Sequence, residues 1–198
     1  MMKLATDLRL TFEEYLRYEE NSDTRYELVK GELIPMSLGT GRHGKVIKFV
    51  DDQLNQSIDR NQTPWTSQRL TVGIQSPRGN RWDTCRIPDV TVLGLEQWNE
   101  MDDREAVIRA HEAAPLLVVE VVSPSTRSED YSAKWSEYAV LDIGEYWIVD
   151  LGKNLVVICT LIDGRYQDIE YRELDIIRSK IFLDLNLTAA NILNSTAT

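Results

Sequence analysis

The stretch LLVVEVV, Leu116–Val122, places one carboxylate among six aliphatic side chains. Side chains alternate along a strand, so Glu120 shares one face with Val118 and Val122, while the residues between them form the other. Both faces are apolar, which indicates a strand in the interior of a sheet. An unpaired, ionised Glu120 would be costly there, so it needs a buried Arg or Lys, a proton, or a metal ion at the strand end.

The segments that follow this strand predict a mixed sheet flanked by helices. Residues 125–141 have helical periodicity, and EYWIVD at 145–150 predicts the next strand. A strand, helix, strand succession favours a crossover between parallel strands. The later segments NLVVICTLID and RYQDIEYR favour hairpins, and a last strand is expected near Ile181, before a short helix. The fold class is therefore α/β or α+β.

The amino-terminal half adds two helices and a hairpin to this prediction. Thr11 and Glu14 have the spacing of a capping box, which predicts a short helix to about Glu20. The segment RYELVKGEL alternates and turns at Lys30-Gly31, as a β-hairpin does. Apolar residues recur at three and four from Arg42 to Arg60, which predicts a helix. The segments QRLTVGIQ and RIPDVTVL then read as strands.

Composition narrows the class of protein. The chain has 198 residues, 42% of them hydrophobic and 27% charged, which suits a single domain over residues 1–198. Its apolar runs are too short to cross a bilayer and no leader pattern opens it, so we expect a cytoplasmic protein with two reduced cysteines. The net charge of −10 disfavours a simple electrostatic DNA binder. Four arginines between 69 and 86 form either a local basic rim or a solvated loop.

A second carboxylate, Asp89, lies in RIPDVTVL. Because Pro88 cannot donate to a strand ladder, the pair belongs at an edge, a bulge or the start of a strand, where the next side chain can point into a cleft. Asp89 and Glu120 would then supply two oxygen ligands from neighbouring strands. Magnesium prefers such ligands and retains waters that a phosphate can replace. The pairing therefore suggests phosphodiester hydrolysis.

Three further residues are candidates for the same site. Lys134 shares a helical stripe with Asp130 and Glu137, so it either points back to the preceding strand or forms a surface salt bridge. His43, near a helix start, is either a structural histidine or an outer member of the site. Glu32, just after the hairpin turn, is most simply a solvated residue.

The ordered set RYELVKGEL, His43, IPDV, VVEVVSPST, Lys134 and GEYWIVD resembles the Uma family of the restriction endonuclease-like, PD-(D/E)XK nuclease superfamily. The resemblance covers about Thr11 to Asp184. It implies a restriction endonuclease-like core, with a central mixed sheet between helices, a magnesium-type site at one edge, and DNA-directed nuclease activity.

The resemblance also implies roles for individual residues. Asp89 and Glu120 correspond to the two metal-binding acids, and the carbonyl of Val121 corresponds to a further ligand. The motif lysine falls on Val122, which has no amine, and Lys134 resembles the migrated lysine of variant members. Two other positions match the family, namely the early glutamate at Glu32 and the histidine at His43.

These observations predict a Mg²⁺- or Mn²⁺-dependent endonuclease that cleaves DNA, acts as a homodimer and has no membrane partner. A catalytically inactive nuclease-fold module for nucleic-acid or protein binding is the main alternative, because Val122 replaces the lysine and the net charge is negative. A structural protein whose acids pair with arginines is the third.

Overall fold

The structure is a computed structural model that describes residues 9–18, 24–123 and 126–195. Its helices are α1 (Phe12–Leu16), α2 (Gly41–Asn61), α3 (Leu95–Asn99), α4 (Lys134–Val140) and α5 (Ala189–Asn194), with a π-helical turn at Glu129–Ala133. Its strands are β1 (Tyr26–Val29), β2 (Glu32–Pro35), β3 (Trp65–Arg69), β4 (Gly73–Arg78), β5 (Arg81–Arg86), β6 (Val90–Gly94), β7 (Val107–Ile108), β8 (Leu117–Val122), β9 (Glu145–Asp150), β10 (Leu155–Ile162) and β11 (Arg165–Tyr171).

The larger sheet has six strands in the order β11-β10-β9-β8-β6-β3. β8 and β9 are parallel, as the crossover predicts, and the other neighbours are antiparallel. The side chains of α2 and α5 pack on the face that carries Val119 and Val121, and α4 packs on the opposite face, which carries Val118 and Val122. The predicted mixed sheet between helices is therefore confirmed.

A second, five-stranded sheet has the order β2-β1-β5-β4-β7. It arises because two segments predicted as single strands each divide between the sheets. QRLTVGIQ breaks at Leu70, whose φ is +53°, so that β3 joins the large sheet and β4 the small one. RIPDVTVL breaks at Pro88-Asp89, between β5 and β6. The prolyl nitrogen cannot donate to a ladder, so the chain changes sheets there.

The amino-terminal helix and hairpin are confirmed. Thr11 and Glu14 form the reciprocal capping box of α1, and α1 ends at Leu16; the predicted end near Glu20 lies outside the described residues. Lys30 and Gly31 both have positive φ, which is the backbone of a two-residue type I′ hairpin turn. This hairpin and α1 belong to the small sheet.

The predicted strand near Ile181 is wrong. The segment between β11 and α5 has no regular strand and contains an isolated bridge between Ile176 and Thr188. Its backbone is tied instead to the buried carboxylate of Glu145, which accepts hydrogen bonds from the Ser179 hydroxyl at 2.8 Å and from the Lys180 amide. Side-chain anchoring therefore replaces sheet pairing in this segment.

Two other sequence expectations concern the whole chain. Cys85 and Cys159 are both free and buried. Across the described ranges, no helix has the length and apolar character needed to cross a membrane.

Candidate active site

The site lies where β6 and β8 stop pairing. Their ladder runs from Val92 opposite Leu117 to Val90 opposite Val119. Beyond that point the Asp89 side chain takes the place of a backbone partner, because its Oδ2 accepts the amide hydrogen of Val121 at 2.6 Å. The bond fixes the Asp89 carboxylate beside the residue that follows Glu120. The structure thus brings the two predicted acids together where the inner strands β6 and β8 separate.

Glu120 is 4% exposed, and its Oε1 has two partners from the next helix. The Lys134 Nζ lies 2.9 Å away, and the Tyr138 hydroxyl donates at 3.0 Å. No described residue donates to the second oxygen, Oε2. Desolvation raises the pKa of Glu120 well above its usual value, and the Lys134 charge offsets only part of this shift. Glu120 is therefore paired with a buried lysine, one of the alternatives expected from the sequence. Its Oε2 has no hydrogen-bond donor among the described residues.

The π-helical turn sets the position of Lys134. A π turn inserts one residue into a helix and often marks a functional site. Asp130, within this turn, lies 3.0 Å from the Lys134 Nζ through its Oδ1, as an ion pair without hydrogen-bond angles. Burial alone lowers the pKa of Lys134, but Glu120, Glu27 and Asp130 together raise it above its usual value. Lys134 is therefore an ammonium ion at neutral pH and not a general base.

His43 lies in the first turn of α2, near Asp89. Its Nε2 is 3.5 Å from Asp89 Oδ1, and its amide donates to the capping hydroxyl of Thr40 at 3.2 Å. The ring packs against Gly39, where an added Cβ would lie 2.9 Å from the imidazole Cδ2. A glycine at position 39 thus leaves room for His43 to lie beside the acid.

The structure does not bring Glu32 to this site. Its side chain is exposed on β2, where the Arg9 guanidinium lies 3.8 Å away. Glu27, on β1, points inward instead: its Oε1 accepts from the Ile87 amide at 3.0 Å and its Oε2 from Arg86 at 3.2 Å. Glu32 stands opposite Val29 near the turn, whereas Glu27 stands opposite Ile34, further from the turn. Glu27 is therefore the early glutamate that the structure places near the acids.

Arg86 connects the small sheet to α4 and the π turn. It is 2% exposed, and its guanidinium bonds Glu137 at 2.8 and 3.1 Å, Glu129 at 2.9 Å and Glu27 at 3.2 Å. Burial alone lowers the pKa of Arg86, but hydrogen bonds and charge from Glu137 raise it overall. Neither the predicted basic rim nor a solvated loop describes this arginine, which is the centre of a buried ionic network.

Negative charge exceeds positive charge in this network. Its carboxylates are Glu27, Asp89, Glu120, Glu129, Asp130 and Glu137, and its cations are Arg78, Arg86 and Lys134. Among the described residues, no group of three or more His, Cys, Asp or Glu side chains is arranged to hold a metal. The Asp89 and Glu120 carboxylates, within this net negative network, are still the kind of oxygen donor that a hard divalent cation prefers.

Two acids at the end of adjacent strands, with an ammonium beside them on a mixed sheet between helices, define a restriction endonuclease-like fold. The chain belongs to the Uma2 family, described as "Putative restriction endonuclease", which matches residues 12–190. Proteins of this class generally use divalent metals.

Individual proteins are similar to this chain in fold or in sequence. A crystal structure of a "putative nuclease" from Anabaena variabilis superimposes with a TM-score of 0.73 at 16% identity, over 93% of this chain and 98% of that one. Two uncharacterized Synechocystis proteins are similar in sequence. One, sll1609, is 26% identical over 76% of this chain and 80% of its own length; the other, slr1290, is 28% identical over 66% and 63%. The structural likeness, at this identity, concerns the fold.

Sequence reasoning missed Glu27, Arg86 and Tyr138. Alternation along β1 assigns Glu27 to a solvated face, and Arg86 is one of the four arginines interpreted from the sequence as a basic rim or a solvated loop. Tyr138 lies within the predicted helix at 125–141, and nothing in the sequence indicates that its hydroxyl meets a carboxylate. The stripe of Asp130, Lys134 and Glu137 was the available signal, since all of its members point into the network.

Proposed function

We propose that the protein is a divalent-metal-dependent endonuclease that hydrolyses phosphodiester bonds in DNA. The observation that carries the proposal is the Lys134 ammonium, 2.9 Å from Glu120 even though Val122 occupies the motif lysine position. An ammonium next to two strand-end acids can stabilise the charge that develops on a phosphate during hydrolysis. A helix thus supplies the group that the strand lacks.

In this proposal Asp89, Glu120 and the carbonyl of Val121 would hold Mg²⁺ or Mn²⁺. Such an ion, when bound, lowers the pKa of water and offsets charge on the leaving oxygen. Lys134 cannot serve as a base, because its pKa is raised. Its part is to orient Glu120 and to attract the phosphate. His43 orients Asp89 or the phosphate, and Glu27 replaces Glu32 as the supporting acid.

Other parts of the prediction belong to the same proposal. DNA is the nucleic acid we favour, Mg²⁺ or Mn²⁺ is the ion, and a homodimer is the form that would place two sites on two strands. A single domain over residues 1–198 and a cytoplasmic location complete it.

Cleavage of supercoiled plasmid by the full chain tests the proposal. We expect nicked and linear products with Mg²⁺ or Mn²⁺, none with chelator, and a rate lowered by about 10²-fold or more in Asp89→Asn. This substitution keeps an oxygen for the Val121 amide but removes the charge. Lys134→Met should have an effect of the same order, provided that circular dichroism shows it folded.

The surface variant Glu170→Gln, which alters an exposed pair with Arg172, is the matched control. Intact plasmid with both metals, or full activity in Asp89→Asn, would contradict the proposal.

A non-catalytic binding module is the second candidate. It is favoured by Val122 and by the two partners that already occupy Glu120 Oε1. Metal and DNA binding by the wild-type chain, without any cleavage, would identify it.

A further inference from the structure

The carboxyl-terminal ends of β8 and β9 lie side by side, because the two strands are parallel. Asp150, the last residue of β9, is opposite Val122, two residues after Glu120. Tyr146 and Ile148 of β9 pack on the same side of the sheet as Val122, so alternation places Asp150 on the Glu120 side as well. Asp150 therefore lies one strand over from Glu120 and two residues further along, on the same side of the sheet.

Asp150 holds Arg127. Its carboxylate is fully buried and accepts from Arg127 Nε at 3.2 Å and Nη2 at 2.8 Å. The same carboxylate accepts from the amides of Gly152 and Lys153, both at 2.9 Å, and from the Tyr131 hydroxyl at 3.2 Å. With so many donors the carboxylate has one orientation, and it imposes that orientation on the guanidinium.

Gly152 leaves the space that Arg127 occupies. A Cβ added at Gly152 would lie 2.6 Å from Arg127 Nη2, which is shorter than any ordinary contact. The φ of Gly152 is not among the positive values of this chain, so the backbone itself does not require glycine. Glycine is needed at position 152 because it leaves space for the Arg127 guanidinium.

The outer edge of the guanidinium is available. The Arg127 side chain is 39% exposed, and no described residue accepts from its Nη1. A guanidinium with one edge on a carboxylate can offer the other to two phosphate oxygens. A second cation is close by, since Lys153 Nζ lies 4.6 Å from the centre of the Tyr131 ring. Asp150 is paired with Arg127, and Glu170, the other acid near Tyr131, is paired with Arg172 at 2.9 Å. The exposed edge of the Arg127 guanidinium is therefore the group here that can meet an anion.

We propose that Arg127 forms a binding site for a backbone phosphate of the nucleic acid, beside the candidate active site, with Asp150 as its positioning residue. The inference rests on the proposed function and adds to it the residue that holds the strand in place. The phosphate bound there is a neighbour of the scissile one and not the reacting group.

Binding of a fluorescein-labelled DNA duplex, measured by anisotropy in Ca²⁺ over a range of KCl concentrations, tests the site. Arg127→Ala should weaken binding by about ten- to hundredfold and lower the slope of log K against log salt by about one. Arg127→Lys should keep most of the slope but recover only part of the affinity, because an ammonium lacks the two-pronged geometry. Gly152→Ala keeps every charge and should also weaken binding, by displacing the guanidinium.

Arg60→Ala is the matched control, because Arg60 also forms a two-point pair with an aspartate, Asp184. It lies at the far end of α2 from His43 and should change neither affinity nor slope. If Arg127→Ala is unstable, the affinity and salt slope of Gly152→Ala test the site on their own. A wild-type affinity and slope in Gly152→Ala and in folded Arg127→Ala would overturn this inference alone. A wild-type chain that binds no duplex at any salt concentration would overturn the proposed function with it.

Discussion

Glu120 is held in the core by Lys134 and Tyr138, but neither partner removes the cost of burying its charge. The tyrosine hydroxyl stays protonated because burial raises its pKa well above the usual value, so it remains a donor. The ammonium is shared with Asp130. A residue retained under such conditions is expected to serve function at the expense of stability, since a neutral side chain of the same shape would fit.

At this scale we predict that Glu120→Gln abolishes metal-dependent cleavage yet raises stability. Gln keeps the acceptor for Tyr138 and leaves Lys134 paired with Asp130, so the free energy of unfolding should rise by about 1 kcal/mol at pH 8. The pKa of Glu120 is raised on folding, so the contribution of this residue to stability is most favourable below its unfolded pKa and is lost as pH rises through its folded pKa. The advantage of Glu120→Gln should therefore grow from pH 5 to pH 8 in thermal melts. A variant less stable than wild type at pH 8 would contradict this reading.

At the level of elements, the connection between the two sheets determines how the site is built. Pro88 and Asp89 pass the chain from β5 to β6, and Arg86, just before them, is bonded to residues of α4, the π turn and β1. Ser76 on β4 adds a hydroxyl to Glu137 at 3.1 Å. The small sheet is thus fixed against the helix that carries Lys134, and the same joint sets the position of Asp89.

Arg86→Met should therefore separate these elements. The substitution leaves Glu27 without its cation and leaves Glu137 with only Arg78, at 3.5 Å, which should cost about 3–5 kcal/mol in urea unfolding. Arg172→Met removes an exposed pair with Glu170 and should change stability by less than about 1 kcal/mol. Equal effects of the two substitutions would show that the network contributes little to holding the sheets together.

For the molecule as a whole, the net charge of −10 is partly concentrated in its interior. The ionic network contains twice as many carboxylates as cations, and desolvated charge of one sign favours the binding of a counterion. A divalent cation would relieve this imbalance. The acidity of the chain disfavours direct electrostatic binding of a polyanion, and it is consistent with a protein that contacts phosphates through a metal.

We predict that Mn²⁺ or Mg²⁺ raises the melting temperature of the wild-type protein. At about 100 times the dissociation constant, binding to the folded state should add about 2.7 kcal/mol. Asp89→Asn should lose most of this gain, whereas Asp52→Asn, which removes a surface acid paired with Lys48, should retain it. Equal gains in both variants would indicate non-specific screening instead of a site at Asp89.

Local sequence determined the elements that depend on near neighbours. Alternation and length predicted β8, the Lys30-Gly31 pair predicted the hairpin turn, and periodicity predicted α2, all of which are confirmed. The acids Asp89 and Glu120 were also identifiable, because a carboxylate in an apolar strand and a Pro-Asp at a strand start conflict with local rules. Such conflicts can be recognised in the sequence, since they involve residues within a few positions of each other.

Tertiary structure alone decided how the acids are partnered. Arg86 meets Glu27 and Glu137 across separations of 59 and 51 residues, and no local pattern specifies such pairs. Stacking the small sheet over α4 covers a strand face that alternation assigns to solvent, which is why Glu27 and not Glu32 lies inside. The same packing directs Lys134 to Glu120 and not to solvent. Ionic pairing depends on distances that arise only when separate elements pack, so the residue types come from the chain and their partners from the fold.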